Sequence, residues 1–298
     1  MAISKVMVIG AGVMGRGIAQ LLASAGIEVI LVDSSNEILD ESLRLLSEEM
    51  DNDIEKWGMT ESEKKAILSR IRGTTEYYDA PVVDLVVEAI PEDLGLKRKL
   101  LAKIDSLTRP ETVLISHTST LSITEIASAT KRPERVIGLH FLPPVTKIPL
   151  MEVVRGLKTS PETINLIKEF ADQQLNKTVV TVYEYPGYVT TRIIVPLLNE
   201  AMYVLMEGIA TAEDIDTAIK LGYGFHIGPL ALADMMGLDE VMMWMDNLLH
   251  ELSDHKYNPC PLLRKLVRAG YLGKKTGQGF FKYDERGKKI GEAQMFPK

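Results

Sequence analysis

Three glycines near the start of the chain have the spacing of a dinucleotide site. The segment KVMVIGAGVMGRGIAQ places Gly10, Gly12 and Gly15 after a β-rich run and at the opening of a helical pattern. In this arrangement the first glycine permits a tight turn, the second lets backbone amides approach a pyrophosphate, and the third lets the helix lie close to the strand. The pyrophosphate then sits at the positive end of the helix dipole. We expect Val13 and Met14, within the same turn, to contact the cofactor.

The residue that ends the next predicted strand indicates which dinucleotide binds. Asp33 closes the run EVILVD, about 20 residues after the glycine turn, where a carboxylate can accept hydrogen bonds from ribose hydroxyls. Ser34 and Ser35 follow it, and no arginine is present there to bind a 2′-phosphate. The pattern therefore predicts NAD rather than NADP as the cofactor.

A histidine and a glutamate later in the chain could perform the acid–base step of a hydride transfer. His140 ends the predicted strand RVIGLHF, at the edge where open parallel sheets bind ligands. Glu152 lies at the start of the next strand, after the turn LPPVTKIPL. Such a pair can act as a base and the carboxylate that fixes its tautomer, which is what alcohol oxidation requires. Taken alone, the same pair is more often a structural contact.

The elements that must position these residues predict two domains. Through residues 1–185, short β-rich runs alternate with amphipathic helical stretches, which is typical of crossover units on a mainly parallel sheet. The strands are expected at residues 5–10, 28–33, 84–90, 112–117, 135–141, 150–156 and 177–184. After Pro186-Gly187 long helical patterns take over. The predicted fold is an α/β Rossmann-like doubly wound sheet, followed by an all-α domain over residues 186–298 for substrate binding and dimerisation.

The helical patterns of the second domain suggest an oligomer. They cover residues 193–208, 211–222 and 227–252, and their apolar positions are too many for one face. Such helices pack against one another or against another subunit. A two-fold homodimer is the default expectation.

Composition excludes several classes of function. The 298 residues carry a formal net charge of −7, which argues against nucleic acid as a partner because phosphate backbones are bound mainly through clustered lysine and arginine. No uninterrupted apolar run reaches the roughly 18 residues of a membrane span. The chain starts without a signal-peptide pattern, and its single cysteine, Cys260, cannot form an intramolecular disulfide. We therefore expect a cytoplasmic protein, and no pattern predicts a metal site.

Several long segments, in order along nearly the whole chain, match one known family. They are GAGVMGRGIAQ, DLVVEAIPEDLGLK, TSTLSITEIA, RPERVIGLHF, MEVVRG, PGYVTTRI, LGYGFHIGPLALADMMGLD and PCPLLRKLVRAGYLGKKTGQGFFKY. With these segments the chain resembles the L-3-hydroxyacyl-CoA dehydrogenases, including the short bacterial 3-hydroxybutyryl-CoA dehydrogenases. The resemblance implies NAD-dependent oxidation of a short-chain L-3-hydroxyacyl-CoA to the 3-ketoacyl-CoA, or the reverse reaction.

The same resemblance implies roles for individual residues. His140 would be the catalytic base, Glu152 would orient it, and Ser119 of the TS motif would bind the substrate oxygen. Three further residues would line the cofactor site, the last of them from the second domain: Glu92, Lys97 and Lys275.

The chain departs from the family pattern at three positions on the substrate side. His117 and Pro143 stand where the family usually has asparagine, before the TS motif and in HFFNP respectively. Thr191 replaces the asparagine of PGFxxNR and offers one hydroxyl in place of an amide with both a donor and an acceptor. His117 could be a second titrating group beside the substrate or a space-filling replacement for asparagine.

The helical stretch over residues 35–57 raises the question of CoA binding. The family binds the CoA phosphates there with basic residues, and Lys56 fits that role. Its acidic neighbours would repel phosphate at close range. These neighbours are Glu48, Glu49, Asp51, Asp53 and Glu55. The alternative interpretation is a solvated face without a ligand.

Two other functions are left open by the sequence. The first is an NAD-dependent dehydrogenase of a hydroxy acid or sugar acid without CoA, suggested by the departures from the family pattern. The second is a protein that binds NAD without chemistry. A 6-phosphogluconate dehydrogenase-like enzyme is disfavoured because RIIVPLLNE lacks the lysine of the KxxNN helix.

Overall fold

Short apolar runs in the first part of the chain form one eight-stranded sheet. The structure is a computed structural model that describes residues 3–56 and 58–293. The chain divides into two units, Met1–Tyr185 and Pro186–Lys298. The strands of the sheet are β1 (Lys5–Ile9), β2 (Glu28–Val32), β3 (Ile71–Thr74), β4 (Leu85–Glu88), β5 (Val113–Ser116), β6 (Val136–Phe141), β7 (Leu150–Arg155) and β8 (Thr178–Tyr183).

The order of the strands is that of a doubly wound sheet. It runs β3-β2-β1-β4-β5-β6-β7-β8, and every neighbouring pair is parallel except β6 and β7, which are antiparallel. Strand order reverses at β1 and β4, and open sheets of this kind bind ligands beyond the carboxyl edge at that point. Strands such as β4 are buried along their whole length, as a sheet covered on both faces requires. The predicted Rossmann-like fold is confirmed.

Helices cover both faces of this sheet and begin at side-chain caps in most cases. They are α1 (Val13–Ser24), α2 (Asn36–Glu55), α3 (Glu61–Ser69), α4 (Leu94–Leu107), α5 (Ile123–Ala127) and α6 (Pro161–Gln173). Thr60 and Glu63 form a reciprocal capping box at α3, and each such cap stabilises a helix by about 1 kcal/mol. Ser160 caps α6, whose first residue is Pro161. Trp57, at the end of the stretch predicted over residues 35–57, lies outside the described residues.

The second unit is built mainly from helices around its own apolar core. They are α7 (Thr190–Met206), α8 (Ala212–Tyr223), α9 (Pro229–Met236), α10 (Leu238–Leu252) and α11 (Pro261–Arg268). The single helical stretch predicted over residues 227–252 is two helices, because Gly237 between them has φ +99°. Met202, Leu230 and Met245 are fully buried in the core.

Three strands were absent from the sequence-based prediction. One is β3, whose run IRGT is short and mostly polar. The others are β9 (Phe281–Tyr283) and β10 (Lys289–Glu292), which pair as an antiparallel hairpin in the second unit. The helical domain therefore contains a small β element. Within residues 3–56 and 58–293, no helix combines the length and apolar character needed to cross a bilayer.

Candidate active site

His140 and Glu152 lie opposite each other on two neighbouring strands. β6 and β7 are antiparallel, and their register pairs these two residues. Directly opposed residues of an antiparallel pair project to the same face, so the side chains meet. His140 Nδ1 is 2.6 Å from Glu152 Oε2, and the two side chains are 3% and 1% exposed. Because a carboxylate only accepts, the proton lies on Nδ1, and Nε2 carries the lone pair of a base.

Ser119 lies on the other side of this imidazole. Its Oγ is 3.1 Å from His140 Nε2, within the distance that a proton transfer requires. A serine hydroxyl both donates and accepts, so it can hold either an alcohol or a ketone oxygen. Ser119, His140 and Glu152 thus form one continuous chain of hydrogen bonds at the end of β6.

Glu92 holds the loop that carries Ser119. Its Oε1 accepts from the amides of Ser119 at 2.9 Å and Thr120 at 3.0 Å. It also accepts from the hydroxyls of Thr118 at 2.6 Å and Thr120 at 3.1 Å. Burial raises the pKa of Glu92, but the charge of Lys97 and these hydrogen bonds outweigh burial, and the net effect lowers the pKa. The carboxylate is therefore charged and fixes the loop.

Lys97 is fully buried beneath the same loop. Its Nζ is 2.6 Å from Glu88 Oε1 and 3.7 Å from Glu92 Oε2, and it donates to the carbonyls of Ile90 and His117 at 3.1 and 2.9 Å. Burial raises the pKa of Glu88, and Lys97 opposes that effect. The side chain of Lys97 is 0% exposed, and the places in the cofactor site that the family resemblance implies for Lys97 and Glu92 stay predictions. The Lys97 ammonium group is occupied within the protein, so it supports Glu92 and the His117 backbone.

The three glycines of the turn have different surroundings: Gly10 and Gly15 contact the backbone closely, and Gly12 faces open space. Gly10 has φ +103°, and a Cβ there would lie 2.5 Å from the Ala89 carbonyl oxygen. A Cβ on Gly15 would lie 1.7 Å from the Gly10 carbonyl oxygen. Around Gly12, in contrast, nothing lies within 4 Å of the Cβ position. The space at the start of α1 is therefore open where a pyrophosphate would bind the helix N-terminus.

Asp33 is held beside the glycine turn. Its Oδ2 accepts from the Ala11 amide at 2.6 Å, and its Oδ1 accepts from the Ser34 amide at 2.6 Å. Val13, the first residue of α1, is 68% exposed, whereas Met14 is half-buried and packs against the core. A carboxylate fixed beside a glycine turn fits a dinucleotide, whose ribose hydroxyls such a carboxylate can bind.

His117 lies beside His140. Its ring is 6.0 Å from that of His140, with an angle of 16° between the planes. Its Nδ1 is 3.0 Å from the Leu139 carbonyl oxygen. Burial, and then the nearby charge of His140, lower the pKa of His117 to about 3. The ring is therefore neutral near pH 7, where it neither gains nor releases a proton.

Four of the five acidic residues near Lys56 form ion pairs with neighbouring cations, and the described residues show no ion pair for the fifth, Glu55. The four ion pairs are Glu48 with Arg44, Glu49 with Arg16, Asp51 with Lys64, and Asp53 with Lys147. Lys56 is exposed at the C-terminal cap of α2. The repulsion of phosphate expected from the sequence is therefore weaker in the folded protein.

The remaining site residues from the sequence analysis have varied surroundings. Pro143 lies in the turn between β6 and β7. Thr191 is buried in the first turn of α7. Lys275 lies in the turn Lys274–Thr276, with its Nζ 2.7 Å from Asp239 Oδ2. The roles implied for Thr191 and Lys275, which belong to the second unit, stay predictions.

Two charged residues near the site were missed by the sequence analysis. Glu88 ends β4 and accepts from Lys97 and from the Ser116 hydroxyl. Lys177, buried just before β8, donates to the carbonyls of Val145 at 2.7 Å and Ile148 at 2.5 Å. Glu88 lies within the apolar run DLVVEAI and Lys177 lies directly before the run TVVTV, and a charge beside a buried run needs an internal partner, which was the available signal.

Comparison with known proteins gives one consistent result. Residues 5–185 match the family model described as 3-hydroxyacyl-CoA dehydrogenase, NAD binding domain, and residues 187–283 match the C-terminal domain of that family. The probable 3-hydroxybutyryl-CoA dehydrogenase of Bacillus subtilis is 46% identical over 286 residues, which are 96% of this chain and 99% of that protein. The 3-hydroxybutyryl-CoA dehydrogenase of Clostridioides difficile is 43% identical, over 94% of this chain and 100% of that protein. The crystal structure of (S)-3-hydroxybutyryl-CoA dehydrogenase PaaH1 from Ralstonia eutropha matches with a TM-score of 0.86 and 43% identity, covering 95% of this chain and 100% of that chain.

The structure contains a histidine–glutamate pair on neighbouring strands, with a serine on the other side of the histidine. It also contains a glycine turn that is open at a helix N-terminus, and the sequence matches both domains of the family. The chain belongs to the 3-hydroxyacyl-CoA dehydrogenase family.

Proposed function

We propose that this protein is an oxidoreductase that converts a short-chain L-3-hydroxyacyl-CoA, such as 3-hydroxybutyryl-CoA, to the 3-ketoacyl-CoA with NAD, or catalyses the reverse reduction. The observation that carries the proposal is the hydrogen-bonded chain from Ser119 through His140 to Glu152. It lies in the unit that matches an NAD binding domain.

Each member of that chain has a distinct task in the oxidation. His140 Nε2 accepts the hydroxyl proton of the substrate, and Ser119 Oγ holds the same oxygen. Glu152 stabilises the positive charge that the imidazole then acquires. NAD, when bound, supplies the acceptor for the hydride that leaves C3. In the reverse direction the protonated imidazole returns its proton to the oxygen.

The residues that fit NAD lie around the glycine turn. Gly12 leaves open space at the start of α1, and Asp33 is fixed next to it by the Ala11 amide. Glu92 contributes by holding the Ser119 backbone, and Lys97 contributes by balancing the charge of Glu92. Gly10 and Gly15 permit the close packing that shapes the turn, Val13 is exposed beside it, and Met14 is half-buried there.

An acyl-CoA substrate, a homodimer and a cytoplasmic role in fatty acid metabolism are parts of the same proposal. Pairing of the acidic side chains of α2 leaves Lys56 as an exposed cation for a CoA phosphate. Leu221 and Tyr223 near the end of α8 are exposed apolar groups, and Ile209 precedes that helix. A second copy of the chain would cover such groups in a two-fold dimer.

A second candidate keeps the reaction and replaces the thioester with a free hydroxy acid. It is supported by His117, Pro143 and Thr191, which stand where the family usually has asparagine on the substrate side. These changes leave the Ser119–His140–Glu152 chain intact and alter only what surrounds it.

A substrate panel tests both candidates. We expect the purified protein to consume NADH with acetoacetyl-CoA and not with acetoacetate, and His140→Gln to lower kcat by about 10²–10⁴-fold. Turnover of acetoacetate alone would favour the second candidate. NADH binding without turnover of either compound would contradict both and leave a binding protein without chemistry.

A further inference from the structure

The Glu88 side chain is buried at the end of β4 and joins three parts of the fold. Its Oε1 accepts from Lys97 Nζ at 2.6 Å and from the Ile90 amide at 2.9 Å, and its Oε2 accepts from the Ser116 hydroxyl at 2.5 Å. These donors belong to α4, to the segment after β4 and to the end of β5. A buried polar network whose members are all hydrogen-bonded is rigid, so Glu88 is a fixed point at this edge of the sheet.

Both backbone groups of His117, the residue after β5, are tied to Glu88. The His117 amide donates to the Glu88 carbonyl oxygen at 2.8 Å. The His117 carbonyl oxygen accepts from Lys97 Nζ at 2.9 Å, and the Glu88 carboxylate holds the same ammonium group. The length of the Glu88 side chain therefore sets where Lys97 lies, and Lys97 fixes the chain as it leaves β5.

Ser119 follows two residues later and depends on the same lysine by a second route. Glu92 holds the Ser119 amide at 2.9 Å, and Glu92 Oε2 is 3.7 Å from Lys97 Nζ. A shift of Lys97 therefore reaches Ser119 through the His117 carbonyl and through Glu92. Ser119 Oγ is 3.1 Å from His140 Nε2. Proton transfer requires about 2.6–3.2 Å, so a small displacement of the loop takes the hydroxyl out of range.

We propose that Glu88 is a positioning residue of the reaction: acting through Lys97, it sets the distance between Ser119 and His140 without contacting substrate or cofactor. The inference rests on the proposed function. The length of the side chain, rather than its charge, is the property required, because Glu92 also faces Lys97 and supplies a second carboxylate to balance the ammonium.

Two substitutions separate length from charge. Glu88→Asp keeps the charge and draws the carboxylate back by one methylene group, so Lys97 loses its position. We expect kcat for acetoacetyl-CoA reduction with NADH to fall about tenfold, since a misplacement of about 1 Å is costly. Glu88→Gln keeps the length and an oxygen acceptor for Lys97, and the Ser116 hydroxyl can turn to accept from its amide nitrogen. Its kcat should stay within about threefold of the wild type, because the hydrogen bonds are kept.

A double-mutant cycle with Ser119→Ala distinguishes positioning from general destabilisation. Glu88→Asp should lower kcat about tenfold in the wild-type background and less than about twofold in Ser119→Ala, where no hydroxyl remains to be misplaced. Asp84→Asn is the matched control at the other end of β4, where Asp84 accepts from the Ser4 and Lys5 amides, and it should retain the wild-type kcat.

Three kinetic results would overturn the inference. They are additive losses of kcat in the cycle, a wild-type kcat in E88D, and a loss in Asp84→Asn as large as that in E88D. If Glu88→Asp does not fold, Glu88→Met takes its place, because it keeps the length of the side chain and removes the acceptors of Lys97.

Crystal structures of the full-length wild type and the same variant test the geometry without turnover. The distance from Ser119 Oγ to His140 Nε2 should lengthen beyond about 3.5 Å, the limit of a hydrogen bond. An unchanged distance would contradict the inference even in a protein without activity. Failure of the proposed reaction would instead appear as absent NADH consumption by the wild type.

Discussion

At the residue scale, the proposed chemistry depends on His140, whose two ring nitrogens have different surroundings. Glu152 lies at one of them, 2.6 Å away, and Ser119 lies at the other, 3.1 Å away. In the proposed reaction the carboxylate fixes the tautomer and opposes the positive charge that a proton brings, whereas the hydroxyl sets the position of the reacting oxygen. The role of Glu152 can therefore be tested by removing its charge and keeping its shape.

Glu152→Gln keeps a hydrogen-bond acceptor near His140 Nδ1 and removes the negative charge. We expect kcat for acetoacetyl-CoA reduction to fall about 10²–10⁴-fold, because the imidazolium is no longer stabilised. NADH affinity should change less than about twofold, since the cofactor residues are elsewhere. Glu28→Gln, at an exposed glutamate on β2, is the matched control and should retain the wild-type kcat. An E152Q enzyme with wild-type kcat would contradict the assigned role.

The sequence was sufficient to predict the pairing of His140 with Glu152, because both lie on strong apolar strands joined by a short turn. It could not show the surroundings of Lys97, whose partners come from β4, the loop after it and the end of β5. Long-range contacts of this kind leave no periodic pattern in the chain. For the same reason the sequence could not predict that His117 contacts the Leu139 carbonyl.

At the element scale, the hairpin of β6 and β7 must hold the two residues proposed as catalytic, His140 and Glu152, in register. Lys177 anchors the turn between them through the carbonyls of Val145 and Ile148, and no carboxylate in the described residues pairs with it. The same turn packs against α1, since a Cβ on Gly17 would lie 3.1 Å from Val145. The turn thus connects the nucleotide-binding helix with the strands that carry His140 and Glu152.

Lys177→Met should disturb this hairpin while keeping the aliphatic part of the side chain. Two carbonyls lose their donor, and we expect a loss of unfolding free energy of about 1–3 kcal/mol. We also expect about tenfold lower kcat, because small misplacements of reacting groups are costly. Urea unfolding and steady-state kinetics measure the two effects. Lys158→Met, at an exposed lysine after β7, is the control, and Lys177→Arg should recover part of the activity. Unchanged kcat in K177M would exclude the positioning role.

Element boundaries could be predicted where apolar runs were long. β1 and β2 end within one residue of the expected positions, since buried parallel strands read as continuous apolar runs. β3 and β10 were missed because their runs are short and contain polar residues, and β9 was missed because its run is only three residues long. The break between α9 and α10 occurs at Gly237, whose positive φ cannot be read from apolar periodicity.

At the scale of the whole molecule, each unit contains a buried titrating group, and the two groups change the stability of the fold with pH in opposite directions. His117 in the first unit has its pKa lowered to about 3 by burial. Asp234 in the second unit accepts from the Phe280 and Phe281 amides and the Tyr283 hydroxyl, and burial raises its pKa to about 6. Each shift couples the stability of the folded chain to pH, and the two couplings have opposite signs.

The sign of each coupling follows from which state binds more protons. For His117 the unfolded chain binds more protons between about pH 3 and 6.5, so its contribution to stability is full above pH 6.5 and is lost as pH falls. For Asp234 the folded chain binds more between about pH 3.8 and 6, so its contribution is full below pH 3.8 and is lost as pH rises through 6. Each group changes the slope of the unfolding free energy against pH by at most about 1.4 kcal/mol per pH unit.

Unfolding free energies measured by denaturant titration from pH 4.5 to 6 test both effects. Relative to His117→Asn, the wild type should gain stability as pH rises through this range. Relative to Asp234→Asn, the wild type should lose stability over the same range, whatever the overall destabilisation caused by the amide. Because each comparison isolates one group, cancellation of the two slopes in the wild type does not hide either of them. Parallel pH profiles for the wild type and one of the variants would show that the corresponding group does not titrate differently on folding.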